Sequence, residues 1–115
     1  MGVSRYLKKK NKNIKIIGVQ PAPGSGVPGI KKWSKEYLPS IYDERQIDEV
    51  VDISGMDSVV MARRMAKEEG IFAGMSSGTA MCAAVEVAKK LERGVIVVII
   101  CDRGDRYLSI PLFGN

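Results

Sequence analysis

The 115-residue chain contains no histidine. This removes the commonest general base and the commonest metal ligand, together with every Ser-His or Cys-His pair. Chemistry must therefore come from a bound cofactor or from groups outside this stretch. The turn Gly74-Met75-Ser76-Ser77-Gly78 sets two hydroxyls and several backbone N–H groups at the positive start of a helix, able to cradle an anion or hold a polar ligand atom. From the local pattern alone, the preferred reading is that Ser76 or Ser77 merely caps that helix. The run Cys101-Asp102-Arg103-Gly104-Asp105-Arg106-Tyr107 begins where an apolar segment ends, which is where an open parallel sheet presents its ligand site, so Cys101 or Asp102 could face a cofactor. The plainer reading is a charged turn whose exposed ion pairs are worth about 0–1 kcal/mol each. Gly24-Ser25-Gly26-Val27-Pro28-Gly29 lacks both the Gly-Lys-Ser/Thr ending of a P-loop and the glycine spacing of a dinucleotide fold, so no nucleotide site is assigned there. Cys82 and Cys101 suggest neither a disulfide framework nor a zinc site, and no metal is expected.

Periodicity and breakers give the elements that must position these segments. Residues 2–10 read as the end of a helix, with Val3, Tyr6 and Leu7 at helical spacing, and residues 11–13 break it before a buried strand over 14–19. Residues 20–38 hold Pro21, Pro23 and Pro28 among glycines and form a long loop, suited to a lid or substrate loop. Val50 to Ile53 is a short strand, and Ser54 with Asp57 has the spacing of a capping box. The following helix puts Val59, Ala62, Met65 and Ala66 on one face and Arg63, Arg64, Lys67 and Glu68 on the other, and Gly70 ends it. A second helix over 79–91 is rich in small residues, and residues 95–100 are apolar on both faces, as in a covered parallel strand. The order predicts an α/β fold: one domain with an open, mostly parallel sheet and helices on both faces.

The formal charge of +5 arises largely from the run Arg5 to Lys12. Such a run could contact nucleic-acid phosphates, but cations suit a helix C-terminus and a solvated helix end is the preferred reading. Neither nucleic acid nor membrane is expected as a partner. The longest apolar run, residues 95–100, is far short of the roughly 20 residues that span a bilayer. With no signal-peptide pattern at the start, the expectation is a soluble cytoplasmic protein.

Taken together, Pro28-Gly29-Ile30-Lys31-Lys32-Trp33, Glu69 through Gly78, and Ile99 through Ser109 resemble, in order and spacing, the cysteine synthases of the B type among the fold type II pyridoxal-phosphate enzymes. The resemblance spans essentially the whole chain. It implies part of the large domain of a pyridoxal 5'-phosphate enzyme, a homodimer, that turns O-acetylserine and a sulfur donor, sulfide or thiosulfate, into cysteine and acetate by elimination followed by replacement. It implies that Ser76 hydrogen-bonds the cofactor's pyridine nitrogen while Ser77 caps the helix, with Gly74, Cys101 and Asp102 as weaker cofactor-site candidates. Gly29, Lys31 and Lys32 become substrate-loop candidates, the two lysines standing where an arginine pair is common and lacking its bidentate fork. No lysine sits in a matching motif, so no catalytic residue is assigned. The Schiff-base lysine and phosphate loop are expected in an N-terminal part of the same enzyme, residues 1–115 forming an incomplete C-terminal domain. The alternative is a non-catalytic α/β binding or interaction module of the same ancestry.

Overall fold

The computed structural model describes residues 1–114. Helix α1 (Gly2–Lys10) leads into strand β1 (Ile17–Pro21). A long connection with two short 3-10 turns follows, then strand β2 (Glu49–Ile53), helix α2 (Gly55–Glu69) and helix α3 (Met75–Ala88). β1 and β2 pair in parallel, with Ile17 opposite Glu49 and Pro21 opposite Ile53. Residues 14–16 stay outside the strand, which is only partly buried; among the described residues one edge of β1 pairs with no other strand.

The capping signal at α2 is realised in modified form. Ser54 Oγ accepts from Asp57 N at 3.0 Å and donates to Asp57 Oδ2 at 2.6 Å. The aspartate, shorter than a glutamate, holds the capping hydroxyl instead of reaching back to the backbone N–H. Gly70 ends α2 in the left-handed conformation, φ 68° and ψ 16°, as a C-terminal glycine does. Ala62 and Met65 are buried, whereas Val59 and Ala66 are half-buried and Arg63, Arg64, Lys67 and Glu68 are exposed.

α3 lies against α2 and both strands. It shares one core cluster with Ile53, Cys82 and Ala83, while Val27, Ala62, Met75 and Leu112 form a second. Ser58 and Thr79, both fully buried, bridge the helices: Thr79 Oγ1 donates to Ser58 Oγ at 2.8 Å, and Ser58 Oγ donates to Ser54 O at 2.8 Å. Buried hydroxyls are tolerated because they are paired.

Residues 95–100 differ most from expectation. They form no strand, and Val95, Val97 and Ile99 are 92%, 83% and 65% exposed. A strand needs a hydrogen-bonded neighbour, and β1 and β2 pair only with each other; the sheet among the described residues therefore has two strands. The basic run behaves as a helix end. Lys8, Lys9 and Lys10 occupy the last turn of α1, and Lys8 Nζ meets both Asp48 oxygens at 2.6 and 2.7 Å. No helix is long and apolar enough to cross a membrane among the described residues.

Candidate functional site

The site is built around the first turn of α3. Gly74, not a serine, is the N-cap, with φ −76° and ψ 176°, so Ser76 and Ser77 lie inside the helix. The expectation that Ser77 caps α3 is corrected, because the helix starts earlier than its polar residues suggest. Ser77 Oγ instead accepts from Cys101 N at 3.0 Å, fastening the end of the 95–100 segment to the helix. Ser76 is only 4% exposed, and its hydroxyl makes no hydrogen bond to any described residue. Among the described residues the fully buried, unpaired side-chain oxygen is Asp102 Oδ1; Ser76 Oγ is not so sealed, and keeps a sliver of exposed surface at which a ligand atom can meet it.

The loop over this hydroxyl is brought close by Gly29, whose φ of +89° suits glycine and at which a Cβ would lie 3.8 Å from Ser76 Cβ and 3.9 Å from Ser76 Oγ. The structure thus unites Gly29 with Ser76. Lys31 and Lys32, two and three residues on, are exposed. Lys32 Nζ is 3.2 Å from Asp52 Oδ2, and Gln20 Nε2 donates to Asp52 Oδ1 at 2.6 Å. Gln20 first and Lys32 second hold the Asp52 carboxyl below its ordinary range. Lys31 Nζ lies 5.8 Å from the Trp33 ring centroid, a cation–π distance. An open cleft of about 420 Å³ runs between Pro21–Val27 and Ile30–Lys32.

On the other side, the Cys101–Tyr107 run folds against Gly74. Gly74 N donates to Asp102 O at 3.3 Å, Gly104 N donates to Phe72 O at 3.0 Å, and Ala73 bridges Arg103. The side chains of this run divide. Arg103 and Asp105 form an exposed pair, as a charged turn would, but Asp102 turns inward. Its Oδ2 accepts from the Tyr107 hydroxyl, and its Oδ1 is buried without a hydrogen-bond partner. The bond it donates to Asp102 is the leading cause that raises the Tyr107 hydroxyl above its ordinary pKa. A Cβ at Gly74 would overlap Asp102 Oδ1 and the Tyr107 ring, so glycine is required there. The Cys101 side chain is exposed; the residue contributes its backbone N–H. Tyr107 and Asp52 went unnoticed in the sequence. Tyr107 is brought under Asp102 by a 3-10 turn (Gly104–Tyr107), for which the sequence carries only the spacing of five. Among the described residues no cluster of three or more His, Cys, Asp or Glu could hold a metal ion.

Residues 1–102 match the family described as pyridoxal-phosphate dependent enzyme. The cysteine synthase B of Pseudomonas aeruginosa is 54% identical over 113 residues, covering 98% of this chain and 38% of that protein. The cysteine synthase B of Escherichia coli is 50% identical over 114 residues, with 99% and 38% covered. Among solved structures, a cysteine synthase (OASS) from Entamoeba histolytica superposes with a TM-score of 0.87 at 38% identity, covering 97% of this chain and 36% of that one. The chain therefore spans less than two fifths of the length of these relatives.

Proposed function

This chain belongs to the pyridoxal-phosphate dependent enzymes, and on that premise we propose that it forms the pyridine-end wall of a cysteine synthase acting on O-acetylserine and a sulfur donor, sulfide or thiosulfate. The observation that carries the reading is Ser76, a residue only 4% exposed at the start of α3 whose hydroxyl makes no hydrogen bond to a described residue. A polar group so placed fits the ring nitrogen of the cofactor. When bound, pyridoxal phosphate supplies an electron sink for charge developing at the substrate carbon. Ser76 would donate its hydroxyl hydrogen to the ring nitrogen and orient the ring. Being neutral, it does not hold a proton on that nitrogen as a carboxylate would, which suits elimination of acetate and restrains deeper charge delocalisation.

Gly29 would let the loop close over the ring, and its missing side chain keeps the space above Ser76 free. Lys31, which lies over the Trp33 ring and makes no ion pair among the described residues, would attract an anionic substrate, while Lys32 is drawn to Asp52. The lysine that binds the cofactor and the phosphate loop would lie in the remaining length that the relatives possess, and the complete enzyme would work as a cytoplasmic homodimer. A stand-alone binding module is disfavoured by the apolar ribbon at residues 95–100, whose exposure would be a liability in isolation.

The test is Ser76→Ala in the complete enzyme. The visible absorbance of the bound cofactor should shift and cysteine formation should fall. An unchanged spectrum and rate would remove Ser76 from the site.

A further inference from the structure

We infer that Asp102 is a positioning residue for Ser76, acting through Gly74 and held in place by Tyr107. The inference rests on Ser76 meeting the cofactor ring nitrogen. It extends that reading to a carboxylate whose Oδ1 is sealed off and whose Oδ2 is taken by Tyr107.

Three observations carry it. The Asp102 carboxylate is fixed on one side only: Oδ2 accepts from Tyr107, while Oδ1 is buried and unpaired. An unpaired buried carboxylate oxygen is costly unless its surroundings compensate it, and it lies beside the start of α3. The helix begins at Gly74, whose N–H donates to the backbone oxygen of Asp102 itself, and the positive end of a helix favours a nearby anion. Next, Oδ1 stands where a Cβ on Gly74 would be, so the carboxylate is the surface against which the N-cap rests. Finally, the same turn is tied down one residue earlier, where Cys101 N donates to Ser77 Oγ. Gly74 and Ser77 flank Ser76, and each is held by this turn. The direction of the Ser76 hydroxyl is therefore set by how deeply the Asp102 turn seats on α3.

Tyr107 sets that depth. Its hydroxyl fixes the Asp102 side-chain rotamer, and Tyr107 itself packs against the core cluster that contains Met75. Removing the tyrosine hydroxyl frees the carboxylate to turn outward. Asp102→Asn keeps the shape but loses the charge that matches the helix end.

The test loads the complete enzyme with pyridoxal phosphate labelled with nitrogen-15 in its ring and records the ring-nitrogen chemical shift. This reports on the hydrogen bond to Ser76 whether or not the enzyme turns over. D102N and Tyr107→Phe should each move the shift in the same direction as Ser76→Ala but by less. The S76A/D102N double variant should match S76A alone, because Asp102 acts through Ser76. In parallel, kcat for O-acetylserine should fall roughly 10–100-fold in D102N with KM nearly held, the scale expected of a misplacement of about 1 Å. Should D102N accumulate poorly, Y107F, one oxygen atom smaller, carries the same comparison. A D102N or Y107F resonance at the wild-type position, with S76A displaced, overturns the inference alone, as do fully additive shifts in the double variant. An undisplaced S76A resonance overturns the role of Ser76 itself.

Discussion

Replacing Gly78 with alanine sets two effects of known size against each other. Gly78 lies within α3, and alanine is favoured over glycine in a helix interior by about 0.8–1.0 kcal/mol. Against this, a Cβ at position 78 would overlap the Ser58 carbonyl oxygen and lie 2.9 Å from Ala62 N and 3.1 Å from Ala62 Cβ. These are backbone atoms and a Cβ of α2, with no flexible side-chain end to swing aside. α2 must therefore retreat as a body, carrying buried Ser58, Ala62 and Met65 out of register with α3. Overpacking of this kind costs about 1–3 kcal/mol, and stretching the buried Thr79–Ser58 bond forfeits part of a further 0.5–1.5 kcal/mol or so. Because the overlap with the Ser58 carbonyl is severe, the overpacking belongs to the upper half of its range, about 2–3 kcal/mol. After helix propensity returns about 0.8–1.0 kcal/mol, a net loss of about 1–3 kcal/mol remains, the strained hydroxyl bond included. Urea unfolding followed by far-ultraviolet circular dichroism would measure it. Gly26→Ala serves as control, since a Cβ there meets nothing within 4 Å and should cause no loss. A G78A protein as stable as wild type, or more so, would refute the close α2–α3 approach and hand the outcome to helix propensity.

The two cysteines should separate on labelling with a thiol reagent at pH 8. Cys101 is exposed; Cys82 is buried, and desolvation first, then Asp57 and Glu86, push its thiol up to about 11 from 9.0, leaving a thiolate fraction about 100-fold smaller. One fast and one slow site are expected, and the fast one should vanish in Cys101→Ser; fast labelling that survives would contradict the burial of Cys82. Asp48 should titrate below 3.8, because the Lys8 ammonium and then Ile16 N–H favour its charged form. The stability it lends by joining α1 to the start of β1 is therefore present above the ordinary carboxylate value and is lost as pH falls through the lower folded value. Carbon-13 carboxyl shifts should place the midpoint there in wild type and nearer 3.8 in Lys8→Met; identical midpoints would argue that the pair is not formed.

The parts of the fold decided locally were legible in the sequence. Gly70 needs no distant partner to adopt a positive φ, and Ser54 and Asp57 are three residues apart, so punctuation alone located both ends of α2. The start of α3 was misplaced because its N-cap, Gly74, bonds through backbone to Asp102, 28 positions on, and no local pattern encodes that pairing. The same holds for the serines. Their types marked the right turn, but only the fold shows that Ser77 is occupied by Cys101 and that Ser76 is not. Asp102 was a candidate for its place at the end of an apolar run, yet its inward turn depends on Tyr107. Residues 95–100 were misread for the opposite reason. Their composition is that of a covered strand, but pairing is a property of neighbours, and β1 and β2 do not offer one.

That bare ribbon and the unpartnered hydroxyl are two ends of one geometry. The ribbon runs directly into Cys101, whose N–H is held by Ser77 Oγ, and the next residue seats Gly74. A neighbouring strand laid along residues 95–100 would cover their apolar side chains and satisfy their backbone groups. It would also fix the height of Cys101 relative to α3, and with it the first helical turn. In the reading proposed above, the remaining length of the enzyme therefore does more than bring a lysine: by completing the sheet it holds the Cys101–Asp102 turn rigid, and so aims the Ser76 hydroxyl. A chain of this length alone would aim that hydroxyl less narrowly, since one side of the turn that positions it rests on a segment with no strand beside it among the described residues.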